Sequence, residues 1–148
     1  MTTTTTATAW EVGHEFEPLA IDPISRTTLA LFAGASGDHN PIHIDIDVAK
    51  SAGLDDVFAQ GMLSMAYLAR AVTNIVPQEQ VRKFGVRFTS ITPLHAQPTC
   101  YVKVDSIDDS SGERLADLSV AVRLADGTRT LEGHAVVALD GTVGGTDA

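Results

Sequence analysis

Between Gln60 and Val76 the chain has almost no polar side for water to face. Met62, Leu63, Met65, Ala66, Tyr67, Leu68, Ala69, Ala71, Val72, Ile75 and Val76 crowd the stretch, and only Ser64, Arg70, Thr73 and Asn74 interrupt it. A helix that is apolar nearly all round belongs inside a protein or a bilayer. Seventeen residues with an arginine among them fall short of the roughly 20 apolar residues a membrane span needs. The stretch therefore predicts a long central helix wrapped by protein, with Met62 and Met65 as core filling. Whatever wraps it must come from the rest of the chain.

Four segments after the helix can do so. Phe84, Val86 and Phe88 alternate with Gly85, Arg87 and Thr89, and Val102 and Val104 alternate with Tyr101, Lys103 and Asp105. Leu118, Val120, Val122 and Leu124 alternate with Asp117, Ser119 and Arg123, while Leu131, Ala135, Val137 and Leu139 share a face opposite Thr130, Glu132 and His134. A period of two gives each strand one buried face and one polar face. Asp126-Gly127 is a tight-hairpin signal, and the short spacing of the last three runs favours antiparallel neighbours. Ahead of the helix, residues 14–21 read as a short strand. Asp22 reads as a cap, with Pro23 in the first turn of a helix that runs to about Ala33 and is ended by the glycines at 34 and 37. Asp45 or Asp47 caps a second, short helix ended by Gly53. The expected fold class is α+β, an antiparallel sheet wrapped around one long buried helix.

A chain of 148 residues suits one such domain, expected over residues 10–140. The threonine-rich residues 1–9 read as a disordered tail and the glycine-rich residues 141–148 as a flexible one. With a formal net charge of −9, nucleic acid and anionic membrane surfaces are poor partners, since both need a basic face. Cys100 is the one cysteine, so no internal disulfide points to an oxidising compartment; it falls on the apolar side of a strand and behaves as a small hydrophobe. The N-terminal residues lack the basic start and apolar middle of a secretory leader, and the expected location is the cytoplasm.

Chemistry concentrates in Phe32-Ala-Gly-Ala-Ser-Gly-Asp-His-Asn-Pro-Ile-His43. Asp38 and His43 lie five residues apart with Pro41 between them, and proline blocks a continuous helix there. A bent loop can bring the carboxylate and the imidazole to one small site. Such a pair can hold a water molecule, take one proton and give another, which is what adding water across a conjugated double bond requires. Asp38, His39, His43, Asp45 and Asp47 also cluster in sequence. Pro41 breaks the helix that would align the two histidines on a metal, and the acidic residues lack a calcium-loop pattern, so no metal is expected. His14, His95 and His134 read as surface or structural residues. Arg82, Lys83 and Arg87 form a small basic group, either a solvated strand face or a dock for the phosphates of coenzyme A or an acyl-carrier protein.

Ser36-Gly-Asp-His-Asn-Pro-Ile-His43 resembles the hydratase motif of the MaoC-like, (R)-specific enoyl-CoA hydratase family of hot-dog proteins. Phe58-Ala-Gln-Gly-Met-Leu-Ser64 resembles that family's entry to its central helix, and Val86-Arg-Phe-Thr89 the strand that follows. The resemblance covers roughly residues 10–140. It implies a hydro-lyase that reversibly hydrates trans-2-enoyl thioesters to (R)-3-hydroxyacyl thioesters. Asp38 and His43 match the catalytic pair, which activates water for attack at C3 and moves the proton at C2. Asn40 matches a residue that orders the site. Gly61 matches the glycine whose backbone N–H, at the start of the central helix, faces the thioester oxygen, and Ser64, one turn on, is a candidate substrate contact. No cofactor is implied beyond the coenzyme A or acyl-carrier protein that belongs to the substrate. A homodimer is expected, or a heterodimer with a related hot-dog subunit. Two departures stand out: Gln60 occupies a position where many relatives carry histidine, and Thr92-Pro-Leu-His-Ala96 lacks a Pro-Gly-Asp turn. The rival readings are a thioesterase on the same fold and a non-catalytic acyl-binding partner subunit.

Overall fold

The computed structural model describes residues 10–139; the tails expected at 1–9 and 141–148 lie outside the described residues. The elements run β1 (Leu19–Ala20), α1 (Arg26–Ser36), α2 (Ile46–Ser51), α3 (Gly61–Thr73), β2 (Val81–Phe88), β3 (Thr99–Asp108), β4 (Leu115–Arg123) and β5 (Arg129–Ala138). The strands form one five-stranded sheet in the order β1-β3-β4-β5-β2, and every pairing is antiparallel. The sheet curls around α3, and the arrangement is the hot-dog fold.

Alternation decides which side of the sheet meets the helix. Cys100, Val102 and Val104 of β3, Leu118, Val120 and Val122 of β4, and Leu131, Ala135 and Val137 of β5 are buried in one cluster with Leu68, Ala71 and Val72 of α3. Tyr101, Lys103, Asp117 and His134 point the other way and are exposed. Asp126-Gly127 makes the expected turn: Asp126 Oδ1 accepts from the Thr128 N–H at 2.9 Å and Gly127 sits at φ +87°, the left-handed region glycine tolerates.

Three local expectations are corrected. Ser25, not Asp22, caps α1, its hydroxyl accepting from the Thr28 N–H at 3.1 Å. Residues 21–24 stay outside the helix instead, because the Ile21 and Ile24 amides donate to the Pro98 and Ala96 carbonyls. The helix then runs through Gly34 to Ser36 and stops at Gly37, which takes φ +77°. Second, the strand expected at 14–21 is reduced to Leu19–Ala20 and a single bridge between Glu15 and Lys103. Third, α3 spans 13 residues and is covered on one face only. Leu63, Ser64, Leu68, Ala71 and Val72 are buried, whereas Gly61, Ala66, Arg70 and Thr73 are exposed. Met62, expected in the core, is 55% exposed. The sheet of one chain is wide enough to cover one side of the helix and leaves the other, still apolar, side open.

A smaller apolar cluster sits under the loops: Ile24, Leu29, Ala49, Val57, Ala59 and Leu63, joined by Phe32, Leu54, Tyr67 and Leu94. Its members lie on either side of the loop that holds Asp38 and His43 and at the start of α3.

Candidate active site

From the end of α1 the chain winds through a run of side-chain-to-backbone hydrogen bonds. The Ser36 hydroxyl donates to the Phe32 carbonyl at 2.7 Å and accepts from the Asp38 N–H at 3.2 Å. Asp38 Oδ1 accepts from the Asn40 N–H at 3.3 Å, and Asn40 Oδ1 from the Ile42 N–H at 3.2 Å. Asp and Asn side chains favour such turns because a carboxylate or amide oxygen reaches its own backbone two residues on. Asn40 thereby caps the short 3-10 turn Pro41–His43, where proline's fixed φ suits the first position. Asp45 then caps α2, accepting from the Asp47 and Val48 amides.

The winding brings Asp38 and His43 face to face. Asp38 Oδ2 lies 3.9 Å from His43 Nε2, with the aspartate side chain 40% exposed and the imidazole 10%. The ring packs edge-on against Phe58, with centroids 4.7 Å apart, and its Nδ1 lies 2.8 Å from the Phe58 carbonyl oxygen. A carbonyl only accepts, so Nδ1 carries the proton. Nε2 of the neutral ring is then a free acceptor turned toward the carboxylate. At 3.9 Å the two groups are too far apart for a direct hydrogen bond. Two acceptors at this spacing can instead receive both protons of one water, which leaves the water's lone pairs free to attack.

Three residues beyond Phe58, Gly61 opens α3, so the His43 anchor and the helix start are within about 10 Å along the chain. Gln60 precedes it and provides no side-chain cap. The first amides received in the turn are those of Leu63 and Ser64, on the Gln60 carbonyl. The Gly61 N–H lies ahead of these, at the end of the helix where partial positive charge gathers. A Cβ at Gly61 would come within 3.0 Å of Phe88 Cε1, so glycine lets the Phe88 ring lie directly on the helix start.

The remaining expected residues are placed differently. Ser64 is 1% exposed and its hydroxyl pairs with Thr92 Oγ1 at 3.2 Å, so it faces protein rather than the open side of the site. Arg82 is held by both carboxylate oxygens of Glu113, at 3.0 and 2.5 Å. Arg87 pairs with Glu132 at 2.6 Å. Arg82 and Arg87 are thus each engaged with a separate carboxylate. Burial pushes the Cys100 thiol up to about 12, which removes the thiolate a nucleophile needs. Sequence reasoning missed the Phe58 carbonyl, a backbone atom that carries no residue-type signal, and Phe88, whose alternation marked it only as core.

The cavities open on the described residues include two of appreciable size. The larger, about 1060 Å³, lies on the face of the sheet turned away from α3, lined by Tyr101, Lys103, Ser119, Arg123 and His134 among others. It contains none of Asp38, His43 and Gly61. The smaller, about 420 Å³, runs between α3 and β2 past Ala66, Ala69, Val72, Val81 and Phe84.

A hot-dog domain with an Asp/His pair in a capped loop beside its central helix defines the class. The model of the MaoC-like domain matches residues 7–122, and the chain belongs to that family. It is similar to 3-hydroxyacyl-thioester dehydratase X of Mycobacterium tuberculosis, with 34% identity over 85 residues. The match covers 57% of this chain and 30% of the relative, so it spans less than a third of that protein's length. Among solved structures it is similar to the unliganded R-hydratase PhaJ1 from Pseudomonas aeruginosa, with a TM-score of 0.75, 26% identity, and coverage of 87% of this chain and 82% of that one. The ChsH1-ChsH2 complex from Mycobacterium tuberculosis shares the fold, with a TM-score of 0.72 and 22% identity over 86% of this chain and 95% of that one. No helix among the described residues is long and apolar enough to cross a membrane.

Proposed function

We propose that the chain is a hydro-lyase that reversibly hydrates trans-2-enoyl thioesters to (R)-3-hydroxyacyl thioesters. One observation carries the reading: a carboxylate and a tautomer-fixed imidazole face each other at 3.9 Å. A water donating to both is held for attack at C3 of the enoyl thioester. One proton passes from the water to the pair, and the pair returns one to C2, so its protonation state is restored. Negative charge builds on the thioester oxygen during attack, and the Gly61 N–H stabilises it there. A single well-placed donor of this kind is worth about 2.7–4 kcal/mol. The thioester supplies the activation, so the only carrier in the reaction is the substrate's coenzyme A or acyl-carrier protein. Membership of the MaoC-like family and likeness to an R-hydratase structure support the reaction type and its stereochemistry.

The working unit in this reading is a dimer in the cytoplasm. β2 is an eight-residue strand at one end of the sheet order, with a row of N–H and C=O groups that no strand among the described residues pairs. Next to it lies the uncovered side of α3. A second copy, or a related hot-dog subunit, would cover both.

Loss of the enoyl-thioester ultraviolet absorbance tests the reading, with a short and a long trans-2-enoyl-CoA, on wild type and Asp38→Asn. Asp38→Asn should be slower by about a hundredfold or more, with unchanged folding. Equal rates in the two proteins would remove Asp38 from the chemistry. Free thiol released from a saturated acyl-CoA would replace hydration with thioester cleavage. Acyl binding by a wild type with no turnover would make the chain a partner subunit.

A further inference from the structure

Gln60 is fully buried, and its two polar atoms fare differently. Nε2 donates to the Leu29 carbonyl of α1 at 3.0 Å, while Oε1 has no partner among the described residues. A buried acceptor left unpaired costs free energy, and an apolar side chain of the same length would avoid that cost. Turning the amide over would not help, because Oε1 would then face the Leu29 oxygen and Nε2 would be orphaned. The amide is therefore in place for its donor, in spite of its acceptor.

What the donor joins is visible in the residues on either side. Phe58 gives its carbonyl to the His43 ring. The Ala59 N–H donates to the Thr92 carbonyl at 3.0 Å. Gln60 reaches α1 with its side chain and receives the first amides of α3 with its carbonyl. Gly61, next in line, carries the N–H at the helix start. At its far end α1 holds the Ser36 hydroxyl that accepts the Asp38 N–H. The Gln60 side chain thus ties the helix that leads into the Asp38 loop to the helix that carries the Gly61 N–H.

We propose that Gln60 is a positioning residue that sets the Gly61 N–H relative to the Asp38/His43 pair. It touches no substrate and acts through the two helix ends. This rests on the reading of the site under "Proposed function". A donor displaced from a developing oxyanion weakens the transition state and leaves ground-state binding nearly alone.

The test compares Gln60→Met, which has similar length and no donor, with Gln60→Glu, which has the same shape and donates only when protonated. Gln60→Met should lower kcat about tenfold or more, with KM within about twofold of wild type, independent of pH relative to wild type. Gln60→Glu should approach wild-type kcat at low pH, where its carboxyl donates to Leu29, and fall away as pH rises and two acceptors face each other. A packing role alone would give neither the kcat-only loss nor that pH dependence. Amide NMR gives a readout that needs no turnover: in both variants the Gly61 and Asp38 resonances should shift together, in Gln60→Glu only above the pH where the carboxyl ionises. If Gln60→Met does not fold, Gln60→Glu at low against high pH carries the test. Wild-type kcat in either variant with its donor absent, or amide shifts that spare Gly61 and Asp38, overturns the proposal. If wild type proves to have no hydratase activity, the NMR arm decides alone, and failure of the functional reading is then distinct from failure of the coupling.

Discussion

Leu68, Val104, Leu118, Val122, Leu131 and Val137 belong to an apolar cluster knitted by regular strands and one helix. Ile24, Leu29, Ala49, Val57, Ala59 and Leu63 belong to a second cluster built half from loops and half from the ends and faces of three helices. In the first, the sheet ladders satisfy the backbone as a matter of course, and shape follows from repetition. In the second, separate side chains do that work: Ser25 caps α1, Asn40 the 3-10 turn, Asp45 α2, and the buried Gln60 amide holds Leu29. Repetition makes a wall that tolerates little change in volume. Discrete hydrogen bonds make a site in which one altered group shifts chemistry while the wall still stands. Two glycines, one in each region, put that difference to the test.

Gly133 of β5 pairs with Val86 of β2, and a Cβ there would lie 2.0 Å from the Gly85 carbonyl oxygen and 2.7 Å from Val86 Cα. Both are backbone atoms of a neighbouring strand and cannot rotate away. Gly133→Ala should destabilise the protein by about 3 kcal/mol or more, above the usual range for overpacking because backbone has to move. Urea denaturation reads this directly. A loss under about 1 kcal/mol would show that the wall is more elastic than the comparison holds.

Gly61→Ala is the counterpart. Its Cβ would meet only the edge of the Phe88 ring, at 3.0 and 3.2 Å, and that ring is 50% exposed and free to swing. Stability should stay within about 1 kcal/mol of wild type, since alanine is the better helix former. Turnover should fall about tenfold or more, because the methyl group and the displaced ring crowd the approach to the Gly61 N–H. Unfolding in step with Gly133→Ala, or unchanged turnover, would erase the distinction between the regions.

The same contrast explains what could be read from the sequence. The β3, β4 and β5 faces followed from alternation because burial on one side of a sheet has a period of two. The turn that brings Asp38 and His43 together was also legible, since Asp38, Asn40, Pro41 and His43 are close in sequence and their turn chemistry is local. Where contacts are distant, local signals do not name the partner. Asp22-Pro23 is a sound helix start, but residues 21–24 are taken up by Ala96 and Pro98, a pairing no local signal announces. Arg82 and Arg87 meet carboxylates 31 and 45 residues away. Apolar periodicity marked Met62 and Ala66 for burial without saying whether the covering surface belongs to the same chain.

The smallest expected effect tests where the loop-built region carries strain. His95 has φ +65° and is the one non-glycine residue among those described with positive φ. Its N–H donates to the Ile24 carbonyl at 2.8 Å, and the Ala96 N–H returns to Pro93. The chain is thus turned sharply while Thr92 stays against Ser64 and Leu94 against the second cluster. A side chain in the left-handed region costs roughly 1–2 kcal/mol. Glycine removes that cost but gives back about 0.5–1 kcal/mol through the greater freedom of its unfolded chain. His95→Gly should therefore stabilise the protein by up to about 1 kcal/mol, seen as a higher urea midpoint with an unchanged slope, and leave turnover alone. A lower midpoint would mean that the exposed imidazole contributes more than the turn costs. Stabilisation would place the backbone strain in the region held by discrete contacts, as expected if those contacts, rather than repetition, dictate where the chain must bend.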